Sequence, residues 1–480
     1  MAAGDALGAG YEFEPSVGDG VDIVMAGNQL WEPGEWTDDT DMALAIAEAA
    51  ADGADLRDTV VLDRIAQRWC EWSRQSKDVG IQTSTVILAA EAAGLSFETM
   101  TAAASDLHRA RGRSGGNGSL MRTAPVALAF LHDEDALVAA ARTVSGMTHF
   151  DPEAGDACVL WCLAIRHAVL TGELDVRVGL SRVPADRRDL WEERIGVAES
   201  SRPRDFSKWH SADGVGNGWV VRAFQGAWCA IATSSVSGPE HLRAALEEAV
   251  RGGDDADTVA AIAGGLLGAA YGASAVPAKW RRIMHGWPGL RSRDLIALGV
   301  RIAQHGVAEG TWPLVEHLDY SHLGDVHVLV PHPHDPEVLL SGVGHRDPLP
   351  PGVDAVVSLC RLGAAEGPAQ GVAAEDHIEV WLVDSEAPAD NPHLEFALAD
   401  TVAAVRQFRA EGKRVLVHCV QAQNRTPAVG ALYSVTEFGV DPDDAVAQMR
   451  EVLPGSLSTA ALVRAISEFG SVSHRRERLS

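Results

Sequence analysis

Over roughly the first three hundred residues, apolar side chains recur every three or four positions in Ala- and Leu-rich stretches that stop at glycine. DMALAIAEAAADG from Asp41, STVILAAEAAG from Ser84 and DACVLWCLAIRHAVLTGE from Asp156 all show this period. They predict a succession of helices with few extended segments between them. Beyond about residue 305 the pattern changes. Short runs dense in β-branched residues, DVHVLVP, DAVVSLC, IEVWLV and RVLVHCV, alternate with the helical stretches HLEFALADTVAAVRQFRAEG and PAVGALYSVTEFG. Strands alternating with helices predict an α/β sandwich with a largely parallel sheet. The fold class is therefore multidomain: an all-α domain over residues 1–305, then an α/β domain over 320–475. The junction is expected between Leu298 and Leu314, and the Pro-rich PHPHDPEVLLSGVGHRDPLPPG from Pro331 reads as loop.

Composition narrows the class. A chain of 480 residues exceeds one ordinary core. With 46% hydrophobic and 22% charged residues it is globular, neither disordered nor fibrous. A net charge of −27 argues against duplex nucleic acid as a partner, since a duplex needs Lys and Arg to displace its counterions. The six cysteines form no CxxC pair, which is the usage of a reducing compartment. MAAGDALGAG lacks the basic and apolar regions of a signal peptide, and the longest apolar runs are interrupted before a bilayer is spanned. The expectation is a cytoplasmic protein with no membrane partner.

Two acidic motifs carry candidate chemistry. Trp36-Thr37-Asp38-Asp39-Thr40-Asp41 opens one apolar helix, and Gly252-Gly253-Asp254-Asp255-Ala256-Asp257-Thr258 opens another. Adjacent carboxylates repel, and sharing a cation relieves the cost. Carboxylates interleaved with Thr hydroxyls offer only oxygen, which suits Mg²⁺ or Mn²⁺. Asp and Thr are also favoured helix caps, and for either motif alone capping is the better reading. Two matched motifs shift the balance toward metal. Glu12 follows a Gly-rich start, and Gly115-Gly116-Asn117-Gly118-Ser119-Leu120-Met121-Arg122 is a small-residue loop suited to presenting N–H groups to a phosphate. Gly216-Asn217-Gly218-Trp219 is a similar turn, and Thr148-His149-Phe150-Asp151-Pro152 precedes a helix.

In order, GDALGxxxE, WTDDT, GNGSLMR, THxDP, NGWVV and GGDDADT resemble the ADP-ribosylglycohydrolase family, which includes the dinitrogenase reductase-activating glycohydrolases. The resemblance covers nearly all of residues 1–305 and implies an all-helical fold holding two divalent cations, Mg²⁺ or Mn²⁺. It implies Thr37, Asp38, Asp39, Asp255, Asp257 and Thr258 as metal ligands. Glu12 matches the family's mobile glutamate, as general base or water-orienting group. Gly116, Asn117, Gly118, Ser119, Met121 and His149 match positions lining the ADP-ribose cleft. The implied reaction is hydrolysis of the glycosidic bond at ribose C1″, and the implied partner is an ADP-ribosylated protein or a small-molecule ADP-ribose derivative.

In the second domain, VLVHCVQAQNRTP reads as a buried strand, a tight loop and a helix beginning near Pro427. A loop of this kind directs several N–H groups at one point, Arg425 adds a bidentate fork, and Cys419 in that field is expected to be a ready nucleophile. For a random strand a Cys at this place is simply core; the Cys-x₅-Arg-Thr spacing favours the nucleophile. The segment resembles the phosphate loop of protein tyrosine and dual-specificity phosphatases. The resemblance implies that Cys419 forms a phosphocysteine, Arg425 holds phosphoryl oxygens and Thr426 eases thiolate departure on a phosphorylated substrate. The general acid is assigned to Asp384, with Asp390 close behind. Ala422 stands where the family often has Gly, and Asn424 where it often has Ser. The leading reading is a hydrolase with two activities. Two alternatives stay open: a C-terminal phospho-binding module, or an N-terminal scaffold that binds ADP-ribose.

Overall fold

In a computed structural model of the chain, the described residues are 1–211, 213–307, 312–324 and 326–477, with side chains to Phe469. They fall into two compact units. The first comprises Met1–Val276 and Ile283–Ala308; the second comprises Pro277–Arg282 and Glu309–Ser480. Part of the expected junction, residues 308–311, lies outside the described residues.

The first unit is almost entirely helical. Its described β structure comprises the two-residue antiparallel strands β1 (His285–Gly286) and β2 (Leu290–Arg291), with two isolated bridges. At its centre runs the helix Pro152–Thr171. Asp151 starts it by accepting from the Glu153 N–H at 3.0 Å, proline follows, and Gly172 ends it at φ 78°. This helix is long and apolar enough to cross a membrane, longer than the interrupted apolar runs suggested, but two-thirds of it is buried in the unit's own core. Trp161 donates from its indole to the Ile262 carbonyl at 3.0 Å and meets Phe224 edge-on at 5.2 Å.

The acidic motifs owe their positions to two further contacts. Helix α1 (Ala2–Gly8) lies directly on the helix Ala256–Tyr271. A Cβ at Gly4 would sit 2.0 Å from the Ala260 carbonyl oxygen, and one at Gly8 would sit 2.3 Å from the Asp257 Cα. Two glycines one turn apart thus let the backbones touch and bring Asp5 beside the start of α2 (Asp38–Ala51). The Asp5 carboxylate closes that junction, accepting from the Thr37 N–H at 2.9 Å, the Thr40 N–H at 3.0 Å and the Thr40 hydroxyl at 2.6 Å.

The second unit is a five-stranded sheet with helices. Its strands are β3 (Leu329–Pro331), β4 (Val338–Ser341), β5 (Ala355–Ser358), β6 (His377–Glu379) and β7 (Val415–His418), in spatial order β3-β4-β7-β5-β6. Edge strand β3 runs antiparallel and the other pairings are parallel. β7 is central, every residue of it buried, with Val415 opposite both Val338 and Ala355. One expectation is corrected. VLLS, inside the Pro-rich stretch read as loop, is strand β4, paired with β7. It is buried on both faces, so it shows no alternation, and prolines flank it on both sides.

Because the Cβ of an alanine at position 8 meets helix backbone rather than a movable side chain, Gly8→Ala should force α1 away from Asp257. We expect a loss of about 3 kcal/mol or more in the first unit's stability, read from urea unfolding of the full chain.

Candidate functional site

Capping and metal ligation draw on the same residue types, and the geometry separates them. Thr37 is the N-cap of α2 and Asp255 the N-cap of the helix Ala256–Tyr271, yet neither side chain makes a capping hydrogen bond. Both motifs turn inward instead. Asp39 Oδ2 lies 3.2 Å from the Thr37 hydroxyl and 3.3 Å from the Thr258 hydroxyl, and the Thr37 hydroxyl lies 3.4 Å from Asp257 Oδ2. Oxygens of Asp5, Asp39 and Asp257 fall within 4.8 Å of one another, as do oxygens of Glu12, Asp255 and Asp257. Asp257 belongs to both groups. Asp38, half-buried, belongs to neither, although its carboxyl is raised by burial and by repulsion from Asp78, Asp5, Glu12 and Asp255.

The backbone reason for Glu12's position is short-range pairing with the second motif. Phe13 N–H donates to the Asp254 carbonyl at 2.6 Å and Asp254 N–H to the Glu14 carbonyl at 2.8 Å. The Ser16 hydroxyl adds a bond to the Gly252 carbonyl at 2.7 Å. Asp254 itself faces elsewhere, pairing with Lys208 Nζ at 2.8 Å. The two Asn-Gly turns brace the same loop. Asn217 accepts from the Asp255 N–H and donates to the Gly253 carbonyl, both at 3.0 Å, while Asn117 donates to Asp255 Oδ2 at 2.7 Å.

Crowding shows in the electrostatics. Burial and mutual repulsion hold the carboxyls of Asp39 and Asp257 well above the ordinary range. Burial pushes Asp5 up to about 6 despite its hydrogen bonds. Burial, then Asp255 and Asp78, push Glu12 up to about 8. Asp39 Oδ1 and Asp257 Oδ1 are buried with no hydrogen-bond partner. Buried acceptors left open at the centre of an all-oxygen cluster fit a hard divalent cation. Asp41, by contrast, accepts from the Trp36 indole at 3.0 Å and the Trp72 indole at 2.9 Å, so it is a satisfied core acid.

His149 is buried, and burial pushes it down to about 3, leaving the ring neutral. Arg122 donates to the Thr148 hydroxyl at 2.7 Å, so that hydroxyl donates to His149 Nδ1 at 2.8 Å. Nε2 then carries the hydrogen and faces the Gly116–Gly118 turn, where a Cβ at Gly116 would meet it at 3.1 Å. Ser119 and Met121, by contrast, are buried, and the Ser119 oxygen accepts from the Ser145 hydroxyl at 3.0 Å. Asp5 and Asp78 are the acids that sequence reasoning left out of the site. GDALG, a Gly-Asp-x-x-Gly pattern on a first helix, was the available signal for Asp5; Asp78 lies in no motif.

In the second unit, Cys419 directly follows β7 and is buried. Four carbonyls of the following loop are engaged: Cys419 O by His418 Nδ1 at 3.1 Å, Val420 O by the Val343 N–H at 2.9 Å, Gln423 O by the Leu457 N–H at 2.8 Å and Asn424 O by the Ala428 N–H at 3.0 Å. Among the described hydrogen bonds, none is donated by the N–H groups of residues 420–424. Planar trans peptides place N–H opposite C=O, so pinning the carbonyls turns the donors to the other side. Arg425 is anchored by Nη1 on the Leu382 carbonyl at 2.9 Å, while its buried Nε has no partner. Donors without acceptors around a cysteine make an anion cradle. The Thr426 hydroxyl donates to the Ser341 carbonyl at 3.2 Å, which uses the hydrogen its suggested role requires. Asp384, though exposed, reaches the loop through Asn424, and Asp390 sits exposed in the turn Pro388–Asp390.

An almost entirely helical scaffold whose buried acids leave carboxylate oxygens open is consistent with an oxygen-ligand site for a divalent cation. The family model for ADP-ribosylglycohydrolase matches residues 1–310, and the chain belongs to that family. It is similar to ADP-ribosylarginine hydrolase Tri1 of Pseudomonas putida (strain GB-1), at 30% identity over 58% of this chain and 71% of that protein. It is also similar to ADP-ribosylarginine hydrolase Tri1 of Serratia proteamaculans (strain 568), at 26% identity over 58% and 72%. The crystal structure of human DUSP28 aligns with 31% of this chain and 99% of its own, at 19% identity and a TM-score of 0.27.

Two outcomes are expected of variants. With metal removed, Asp257→Asn relieves repulsion and should melt higher than the unsubstituted chain, while losing the gain in melting temperature that Mn²⁺ gives. The raised carboxyls bind protons more tightly when folded than unfolded. Metal-free stability should therefore rise as pH falls from about 8 toward about 6, read by calorimetry in chelator. Second, Ala422 holds φ 54°, a left-handed conformation that suits glycine. Ala422→Gly should stabilise the chain by about 1 kcal/mol in denaturant titration.

Proposed function

We propose that the first unit hydrolyses the bond between ribose C1″ and an ADP-ribosylated target, with an arginine side chain as the favoured acceptor. Family membership supports the reaction type, and the names of the two Tri1 relatives support arginine. The observation that carries the reading is the pair of buried, unpartnered oxygens on Asp39 and Asp257. Thr37, Asp38, Asp39, Asp255, Asp257 and Thr258, with Asp5 beside them, would hold two Mg²⁺ or Mn²⁺ ions. When bound, two such ions would supply Lewis acidity toward ribose hydroxyls and water. The protein's own groups do the rest. Gly116 and Gly118 offer backbone donors to the diphosphate, the Asn117 N–H being spent on the Gly218 carbonyl at 3.1 Å, and His149 presents Nε2–H beside them. Glu12, placed by the pairing of its neighbours Phe13 and Glu14 with Asp254, takes the proton from the attacking water. A cytoplasmic location accords with six free cysteines.

For the second unit the reading is a cysteine-dependent phosphomonoesterase over residues 320–475. It is supported by the partnerless N–H groups of residues 420–424 and by the buried, partnerless Arg425 Nε around Cys419. A phospho-binding module would use the same cradle without turnover.

The test uses the full chain on ADP-ribosylated arginine and on p-nitrophenyl phosphate. Chelator, or Asp39→Asn, should lower release of ADP-ribose by more than about 100-fold and leave phosphate release unchanged. Cys419→Ser should abolish phosphate release and leave ADP-ribose release intact. Loss of both activities in either variant would refute two independent sites. If the unsubstituted chain releases no phosphate, the binding-module reading holds instead.

A further inference from the structure

Asn424 occupies a phosphate-loop position where a serine is common, and its side chain does what a serine could not. Its Nδ2 donates to Asp384 Oδ2 at 3.0 Å. Its Oδ1 accepts from the Ser458 N–H at 2.8 Å, the Ser458 hydroxyl at 3.2 Å and the Thr459 N–H at 3.3 Å. The Thr459 hydroxyl completes a ring of contacts by donating to Asp384 Oδ1 at 2.7 Å. One nearly buried amide therefore joins three segments: the cysteine loop, the loop that carries Asp384, and the start of the last helix.

The Asp384 loop is secured at two other points. Asn391 folds back on it, accepting from the Val383 N–H at 2.9 Å and donating to the Val383 carbonyl at 2.8 Å. Glu386 accepts from the Ala460 and Ala461 N–H groups at the head of the helix Ala460–Glu477. That position suits a carboxylate because the first N–H groups of a helix have no intrahelical acceptor. A segment tied at its start, middle and end is not built to swing.

We propose that Asn424 is a positioning residue that holds Asp384 preset beside the phosphate cradle, so that residues 383–391 form a fixed proton-donor wall and not a moving flap. This rests on the phosphatase reading above. In the step it serves, the Cys419 thiolate forms a bond to phosphorus as the ester P–O bond breaks. The departing oxygen takes the proton from the Asp384 carboxyl, leaving phosphocysteine, the free alcohol and the Asp384 carboxylate. Water then attacks phosphorus, Asp384 takes back a proton, and inorganic phosphate leaves with the thiolate restored. Each carboxylate oxygen spends one lone pair on Asn424 or Thr459 and keeps another on which that proton can ride.

The experiment compares Asn424→Ala and Asn424→Ser with the unsubstituted full chain on two esters: phenyl phosphate, whose leaving group needs a proton, and p-nitrophenyl phosphate, whose leaving group needs it less. Amide hydrogen exchange over residues 383–391 is measured in parallel. The expected result is a fall in kcat for phenyl phosphate of about 100-fold, with a far smaller fall for the nitrophenyl ester. KM and inhibition by inorganic phosphate should stay unchanged, and exchange over 383–391 should quicken. Thr459→Val should give the same pattern more weakly. Equal losses on both esters with weaker phosphate inhibition would show that Asn424 shapes the cradle itself, which overturns the proposal. Unchanged exchange over 383–391 would overturn it as well. If the unsubstituted chain turns over neither ester, the phosphatase reading fails and removes the donor role of Asp384, while the exchange rates still report separately whether Asn424 holds the loop.

Discussion

Burying carboxylates together is the constraint on which the first unit depends. Asp5, Asp39 and Asp257 are taken out of water with oxygens within 4.8 Å of one another, and Glu12 and Asp255 join Asp257 half-buried at the edge. No fold tolerates this without compensation. Part of it comes from hydrogen bonds. Asp5 is fully engaged across the junction of α1 and α2, Asp41 by two indoles, and Asp255 by Asn117. Asp41 is structural in the sense that the chain alone answers it, whereas Asp5 and Asp255 also face the cluster. Asp39 and Asp257 each keep one oxygen that the chain does not answer. The division between answered and unanswered acceptors separates scaffold from chemistry more sharply than residue type does.

The second unit states the same principle with the sign reversed. Its cysteine loop spends its carbonyls on neighbouring segments and leaves its N–H groups and one guanidinium nitrogen without acceptors. A neutral chain of side chains fixes this orientation. The Ala369 N–H donates to His377 Nδ1 at 2.9 Å, so His377 Nε2–H points at the Ser358 oxygen at 2.8 Å. The Ser358 hydroxyl then donates to His418 Nε2 at 2.7 Å, leaving His418 Nδ1–H for the Cys419 carbonyl. Burial pushes His418 down to about 4, so the ring stays uncharged and this set of donors persists near neutral pH.

How much of this was legible in the sequence follows from what each signal encodes. Helical period and Ala-rich composition set out the first unit because its helices bury broad faces. Strand β4 escaped because a strand buried on both faces carries no alternation and its flanking prolines spoke for loop. The acidic motifs were legible, but residue type alone could not divide caps from ligands, and the ligand set came from the family resemblance. Only the absence of capping bonds at Thr37 and Asp255 separates the two uses. Asp5 was hidden because its meaning lies in Gly4 and Gly8, which look like weak helix formers until the backbone of a second helix is laid against them.

The departures from the phosphatase pattern show the limit most clearly. Ala422 and Asn424 could be recognised as unusual from the chain alone. Their consequences differ because one acts through its own backbone and the other through residues far away. Ala422 simply takes the left-handed conformation that the loop demands. Asn424 needs Asp384 on one side and Thr459 on the other, two residues 75 positions apart that meet only in the folded unit. A residue whose role is to join distant segments leaves no local trace. Its amide, carrying donor and acceptor on one planar group, is the property that lets one side chain bond the Asp384 loop and the start of the last helix at once.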